Sequence, residues 1–358
     1  MLPPRIVRRL LFPPLVFVLT LGAVLISPLL LVLALLALPS RSGRRRALRL
    51  IWFGLAWLVM ESAALLACLV LWIASGFGGR LRTEASMDRH YGLVRWFLAT
   101  LFGMAVRVFQ LRVEITEPPA TPEEMAARLT RPVVVLSRHA GPGDSFLLVH
   151  HLLSLYRRKP RIVMKAALQF DPSLDVVINR LPHAFVHPRP VAVAVAPPAG
   201  PSPEAAEGPV AAEIRRLAGG MGPTGALVIF PEGGNFTPAR WRRGISRLEQ
   251  SRRHEEARRA RAMANLLPPR AGGAYAAIDA APTADVIFVA HTGLDDLITV
   301  RDIWRALPME QIIKAKWWRV PAAEVPRDRD EVVQWLYEWW ERIDAWIAEN
   351  RPVRTASG

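Results

Sequence analysis

Pro132-Val133-Val134-Val135-Leu136-Ser137-Arg138-His139-Ala140-Gly141-Pro142-Gly143-Asp144 is the stretch from which this chain is read. Val133 to Leu136 form a short apolar, mostly β-branched run, the signature of a buried strand. A Gly/Pro turn follows it, and from Ser145 to Tyr156 the pattern becomes helical. A histidine therefore stands where a strand ends, and a carboxylate stands where a helix begins. The turn is tight enough to bring Asp144 back to the His139 imidazole, which suits a general base held by a carboxylate. A second reading fits the same spacing: His139 is a turn residue and Asp144 caps the helix. A His and an Asp at this spacing recur by chance, so the pair needs support from elsewhere in the chain.

The neighbouring segments repeat the strand–helix rhythm. Phe109 to Ile115 alternates apolar and polar residues. Short apolar runs recur at 161–164, 184–187, 225–230 and 285–290, with helical patterns between several of them. This predicts an α/β domain with a largely parallel sheet flanked by helices. In such sheets ligands gather at the carboxyl ends of strands. The run 225–230 ends in Phe230-Pro231-Glu232-Gly233, which exposes a second carboxylate at a strand end. His139 and Glu232 at equivalent ends can converge on one crevice; the bland alternative is a plain turn with an exposed Glu232.

The first part of the chain is different. No charge occurs from Leu10 to Ser40, and only Glu61 interrupts Leu50 to Gly79. Each run exceeds the roughly 20 apolar residues that span a bilayer. The first is too long for the core of a cleaved leader, about 7–15 residues, and reads as retained. Arginines flank the runs on every side: Arg5, Arg8 and Arg9 before them, Arg41, Arg44, Arg45, Arg46 and Arg49 between them, and Arg80, Arg82, Arg89 and Arg95 after them. Two full crossings would put the basic linker opposite both other basic flanks, against the positive-inside tendency. A shallow hairpin, in which each run dips in and returns with Pro28 bending the first, keeps all three on the cytosolic face. Glu61 snorkels, meets a protein partner or is neutral. The expected division is a membrane anchor at 1–80 with two apolar helical segments, and a soluble domain at 81–358. That domain would carry a flexible Pro/Ala-rich loop at 188–209 and a C-terminal amphipathic helix.

The net charge is +15 and the hydrophobic fraction 51%. Charge alone admits nucleic acid, an anionic membrane surface or polyanionic small molecules. The apolar N-terminus favours the membrane, and no basic motif interleaved with aromatics supports nucleic acid. The one cysteine, Cys68, lies in an apolar run, so no disulfide framework or Cys-based metal site is expected. No His/Asp/Glu spacing suggests a metal. Residues 240–261 are crowded with arginine, and Trp241, Ile245 and Leu248 share a helical face. Such a helix either lies on anionic lipid or is simply solvated. Near the C-terminus, Val332, Leu336, Trp339, Ile343 and Ile347 form a core-facing stripe, which leaves Trp335, Trp340 and Trp346 for an interface.

Taken together, these segments resemble the glycerolipid (lysophospholipid) acyltransferase family, of which 1-acylglycerol-3-phosphate acyltransferases are typical. His139 and Asp144 match its His-x4-Asp motif, and Phe230 to Gly233 match the start of its Phe-Pro-Glu-Gly-Thr-Arg motif. Lys165 resembles the lysine before the middle motif, and Phe185 through Arg189 a degraded form of that motif. Leu267-Pro268-Pro269-Arg270-Ala271-Gly272-Gly273 resembles the family's Pro- and Gly-containing segment, and Val286 to Val289 its last strand. The resemblance spans roughly residues 85–300, in the family's order.

It implies acyl transfer from acyl-CoA or acyl carrier protein to a lysolipid hydroxyl, with no resident cofactor. His139 would be the base and Asp144 its support. Glu232, Gly233, Arg189, Lys165 and Arg138 would bind substrate. The protein would sit at the cell membrane with its site on the cytoplasmic face. The pattern also departs from the family's. Arg138 stands for the usual Asn, and Gly141 for Ser. Gly234 and Asn235 replace Ser/Thr and Arg, and Ala290-His291 takes the place of the last motif's proline. The missing arginine ordinarily helps bind the acceptor phosphate; Arg138, Arg189 or Arg240 would have to replace it, or the acceptor lacks that phosphate. A binding protein that kept the fold and lost catalysis is the remaining alternative.

Overall fold

The computed structural model describes residues 2–37, 40–123, 128, 130–186, 208–295, 300–307 and 312–352. Seven strands make one sheet: β1 (Arg112–Thr116), β2 (Val133–Ser137), β3 (Lys159–Lys165), β4 (Ala184–Val186), β5 (Gly225–Ile229), β6 (Asp285–Thr292) and β7 (Ile312–Val320). Their spatial order is β1-β7-β6-β2-β5-β3-β4. The block from β6 to β4 is parallel throughout. β7 runs antiparallel to β6 and carries β1 parallel beside it.

The sheet is therefore largely parallel, as the alternation predicts. β7 has no counterpart in the sequence reading. Its buried positions are Ile313, Trp317 and Val320, a spacing that does not alternate, and Lys314, Lys316 and Arg319 interrupt its apolar residues.

β2 and β5 are buried at every position, because a parallel strand in mid-sheet is covered on both faces. Successive side chains take opposite sides. Val134, Leu136, Leu227 and Ile229 pack toward the C-terminal helix Arg329–Asn350, joined by Leu336, Trp340, Ile343 and Ile347. Val133, Val135, Ala226 and Val228 pack toward the helix Pro142–Ser154 through Leu148 and Leu152. Each such side chain, fully buried, contributes roughly 1.5–3 kcal/mol. The C-terminal stripe lies in the core as expected. The extra tryptophans do too: Trp340 is fully buried, and Trp335 and Trp346 pack on the same cluster. Trp339 stacks on Phe288 of β6 at 4.4 Å.

The arginine-rich segment is two helices, Pro238–Gln250 and His254–Ala262, separated by a break at which Arg252 has φ +58°. Trp241, Ile245 and Leu248 pack on the core cluster, so the apolar face of the first helix is spent inside the domain, not on lipid. Arg240, Arg242, Arg243 and Arg247 remain exposed.

Among the described residues three helices, not two, are long and apolar enough to cross a membrane: α1 (Arg5–Ala37), α2 (Arg41–Ala74) and α3 (Glu84–Phe109). α3 belongs to the expected 81–358 part, and its Tyr91 and Leu98 pack on Leu153 and Leu181 there. α1 continues through Pro13, Pro14 and Pro28 as one helix and does not turn back at Pro28. Its length, about 50 Å at 1.5 Å per residue, exceeds the roughly 30 Å hydrocarbon core.

α1 and α2 pair as a hairpin, with Thr20 Oγ1 at 2.9 Å from Ser62 Oγ and donating to Leu58 O at 3.1 Å. α2 then lies along the rest of the protein. Arg46 Nε donates to Leu307 O (2.7 Å) and the Trp57 ring meets Phe146 edge-on (6.3 Å). Glu61 O accepts from Ser173 Oγ (3.3 Å), and Cys68 O accepts from Arg180 Nη1 (2.7 Å). The Glu61 side chain is buried in that contact. At the start of α1, buried Arg8 donates to Gln169 Oε1 (2.7 Å) and pairs with Asp175 (2.8 Å).

Candidate active site

β2 and β5 are direct neighbours, with Leu136 opposite Ile229, so the residues that follow them leave the sheet side by side. Phe230-Pro231-Glu232 carries a carboxylate out of β5 and back toward β2. Glu232 is only 2% exposed. Its Oε1 accepts from the His139 backbone N–H (2.8 Å) and its Oε2 from the Leu267 N–H (2.9 Å). Both oxygens are engaged by main-chain donors, so Glu232 ties the ends of β2 and β5 to the 263–270 segment. Burial pushes its carboxyl up to about 7, against the pull of Arg138 and of the two backbone donors. The other end of that segment is fixed as well: Asp344 accepts from the Ala264 and Asn265 N–H groups, and Arg270 N donates to Pro231 O (2.9 Å).

The His139 ring lies beside Phe230, 4.8 Å between centroids, and turns Nδ1 to Asp144, 3.1 Å from each carboxylate oxygen. Asp144 also accepts from the Ala140 N–H (2.6 Å), the Gly141 N–H (3.1 Å) and Ser145 Oγ (3.1 Å). It is therefore both the helix cap and the partner of the imidazole; the two readings of the turn are one structure. Burial alone would raise the Asp144 carboxyl. The His139 hydrogen bond, the neighbouring imidazoles and the Gly141 N–H outweigh that and bring it down to about 2. An ionised carboxylate only accepts, so Nδ1 carries a proton, and in the neutral ring Nε2 is then the lone-pair acceptor.

A second histidine stands behind the first. His291, in β6, donates from Nε2 to Arg138 O (3.2 Å) and lies 3.6 Å from Asp144 Oδ2. Burial, then the charge of Arg138, pushes it down to about 4. Arg138 returns the contact: Nη1 donates to His291 O (2.6 Å) and Nη2 pairs with Asp295 (2.7 Å). Arg138 is 2% exposed and its guanidinium points under the strand ends, away from solvent. Lys165 stands exposed at the carboxyl end of β3, next to β5. Arg189 lies outside the described residues, as do His187 and most of 188–209.

Gly233 adopts φ +67°, which an L side chain rarely takes. Two guanidiniums cover this turn. A Cβ on Gly233 would sit 3.0 Å from Arg270 Cζ, and one on Gly234 would sit 2.6 Å from Arg240 Nη1. Arg240 Nη1 also donates to Asn235 O (3.2 Å). Arg270 was not singled out from the sequence. The available signal was its place in Pro268-Pro269-Arg270, just ahead of Gly272-Gly273. Among the described residues, no group of three or more His, Cys, Asp or Glu side chains is placed to hold a metal ion.

The geometry offers a partly exposed imidazole with a free Nε2, a carboxylate fixing its tautomer, and cationic side chains one turn away. Residues 112–292, just over half of the chain, match the protein family described as Acyltransferase. No curated protein and no solved structure matches the chain.

Proposed function

The chain belongs to the glycerolipid acyltransferase family, and from that premise we propose that it moves a fatty acyl group from a thioester, acyl-CoA or acyl carrier protein, to a hydroxyl of a lysophospholipid, with 1-acylglycerol-3-phosphate the first acceptor to test. The observation that carries this reading is the His139 imidazole, held at Nδ1 by Asp144 with Nε2 free. In the proposed step Nε2 takes the acceptor's hydroxyl proton as that oxygen bonds to the thioester carbonyl carbon. Asp144 stabilises the imidazolium. The tetrahedral intermediate then collapses, the carbon–sulfur bond breaks, and the thiolate leaves, to be protonated by the imidazolium or by solvent. Positioned base catalysis of this kind contributes about 10²–10⁴-fold; orientation of the two substrates and stabilisation of the oxyanion supply the rest.

In this reading Glu232 acts on the acceptor through the loop it braces, since both of its oxygens are already engaged. Lys165 and Gly233 line the crevice, Arg189 is a candidate contact, and Arg138 supports the loop from beneath. A lysolipid would reach the site from the bilayer. The helix that begins at Pro142 places Phe146 against Trp57 of α2, so the dyad's own helix touches the apolar hairpin. The contacts of Arg8 and Arg46 with the catalytic domain support a hairpin lying in one leaflet, with its three basic flanks on the cytoplasmic side.

A second reading keeps the chemistry and changes the acceptor. It is favoured by Asn235, which stands where the family's phosphate-binding arginine is usual. The test is a panel of lysolipid acceptors with radiolabelled acyl-CoA, run on membranes bearing the wild-type chain or His139→Ala. Labelled product from wild type alone supports the reading. No product with any acceptor removes it.

A further inference from the structure

Arg240 and Arg270 come from two separate segments, a helix and the loop before Ala271–Ala280, yet they meet over one turn, and Arg247 is near enough for its charge to act on Arg270. Arg270 lies over Gly233 and Arg240 over Gly234. Burial first, and then the charges of Arg247 and Arg240, lower the affinity of Arg270 for its proton. Among the described residues, none of the three has a carboxylate within ion-pairing distance. The arginines on the next helix differ: Arg258, Arg259 and Arg261 each have a glutamate. Three like charges gathered here without a carboxylate beside them favour a bound anion.

Position 234 explains how the cluster fits. Any side chain there would collide with the Arg240 guanidinium as placed. The glycine that breaks the family's pattern is thus the residue that admits Arg240.

Building on the acyltransferase reading, we propose that Arg270, Arg240 and Arg247 form a phosphate-binding subsite that receives the acceptor lipid's headgroup phosphate, rebuilt from side chains outside the motif that lacks its arginine. Distance favours the acceptor over the donor. Glu232 touches His139, and Gly233 is the next residue, about 3.8 Å further along the chain. A phosphate over Gly233 therefore lies near the imidazole, as it must when one short glycerol unit separates phosphate from reacting hydroxyl. The phosphates of coenzyme A lie far from its sulfur. The planar guanidinium fork suits a phosphate monoester, with two oxygens bound side by side.

The test needs no turnover. Full-length protein in detergent is titrated with glycerol 3-phosphate, with glycerol as the uncharged control and coenzyme A as the donor arm. Arg270→Gln and Arg240→Gln are each expected to weaken glycerol 3-phosphate binding about tenfold or more, the value of a charge-assisted hydrogen bond. Gly234→Ser should weaken it too, by displacing Arg240 without removing it. Coenzyme A affinity should stay as in wild type. Melting curves check folding, and Arg270→Lys and Arg240→Lys serve if the Gln variants do not fold; they keep the charge but lose the fork.

Wild-type binding that none of the variants changes overturns the proposal, as does no binding at all. A loss confined to coenzyme A gives the arginines to the donor and also overturns it. Intact glycerol 3-phosphate binding without acyl transfer to any acceptor counts against the proposed reaction and leaves the subsite standing.

Discussion

Arg138 and His291 hold each other by their main chains: Arg138 Nη1 donates to His291 O at 2.6 Å, and His291 Nε2 donates to Arg138 O at 3.2 Å. Each replaces a residue usual in the family, and each is the other's partner. The pair fastens the end of β2 to β6 directly beneath His139, and Asp295 neutralises the guanidinium. Substituting one member strands the other. Arg138→Asn, alone, leaves Asp295 buried without its cation and is expected to cost about 3–5 kcal/mol of stability, the usual penalty for breaking a buried pair. Chemical denaturation checks this. A loss below 1 kcal/mol means the pair is dispensable.

His291 also sets a pH dependence. Its pKa falls from 6.5 to about 4 on folding. A group whose folded pKa is depressed contributes stability that is present above the unfolded value and lost as pH falls through the folded one. The window is thus pH 6.5 down to 4, with a contribution on the order of 3 kcal/mol. Asp144, lowered to about 2, extends the decline below pH 4. Glu232 runs the other way: its raised pKa favours the fold below 4.5, and that contribution is lost as pH rises through 7. Between pH 6.5 and 4, His291→Asn should lose about 3 kcal/mol less stability than wild type, whatever the opposing slope from Glu232. Melting temperatures across that range decide it, and an unchanged slope contradicts the assignment.

Glu232→Gln keeps the shape of the clamp but turns an amide N–H₂ toward a backbone N–H. Leaving a buried donor unpaired costs about 1–3 kcal/mol. Because the carboxylate holds the His139 loop, kcat should fall while KM for the acceptor changes less than threefold. A rise in KM with kcat retained would place Glu232 on the acceptor itself.

A single cysteine placed in the 41–49 linker tests the hairpin. With the linker on the catalytic domain's side, as the Arg46 contact with Leu307 O implies, a membrane-impermeant thiol reagent should label it only after the cells are opened. Ready labelling from outside sinks the one-leaflet arrangement.

The central sheet was legible because β2, β5 and β6 are short apolar runs ending in turn residues, and parallel packing demands that composition. β7 was not, since its buried positions are spaced irregularly among lysines and arginine. The positions of His139, Asp144 and Glu232 at adjacent strand ends were predictable. The clamp through Leu267 N was not, because main-chain donors leave no trace in residue identity. For the same reason Arg138 read as a substrate contact when it is buried, and Arg270 was passed over although it covers the site.

Acyl transfer by His139→Ala and Asp144→Asn, measured with radiolabelled acyl-CoA in membranes with matched protein levels, tests the central claim most directly. The dyad predicts that His139→Ala lowers kcat by about 10²-fold or more, with membrane association intact. Asp144→Asn, which keeps a side chain able to accept from Nδ1, should lose less unless removal of the cap also destabilises the loop. Retention of more than a small fraction of wild-type activity by folded His139→Ala would contradict the account.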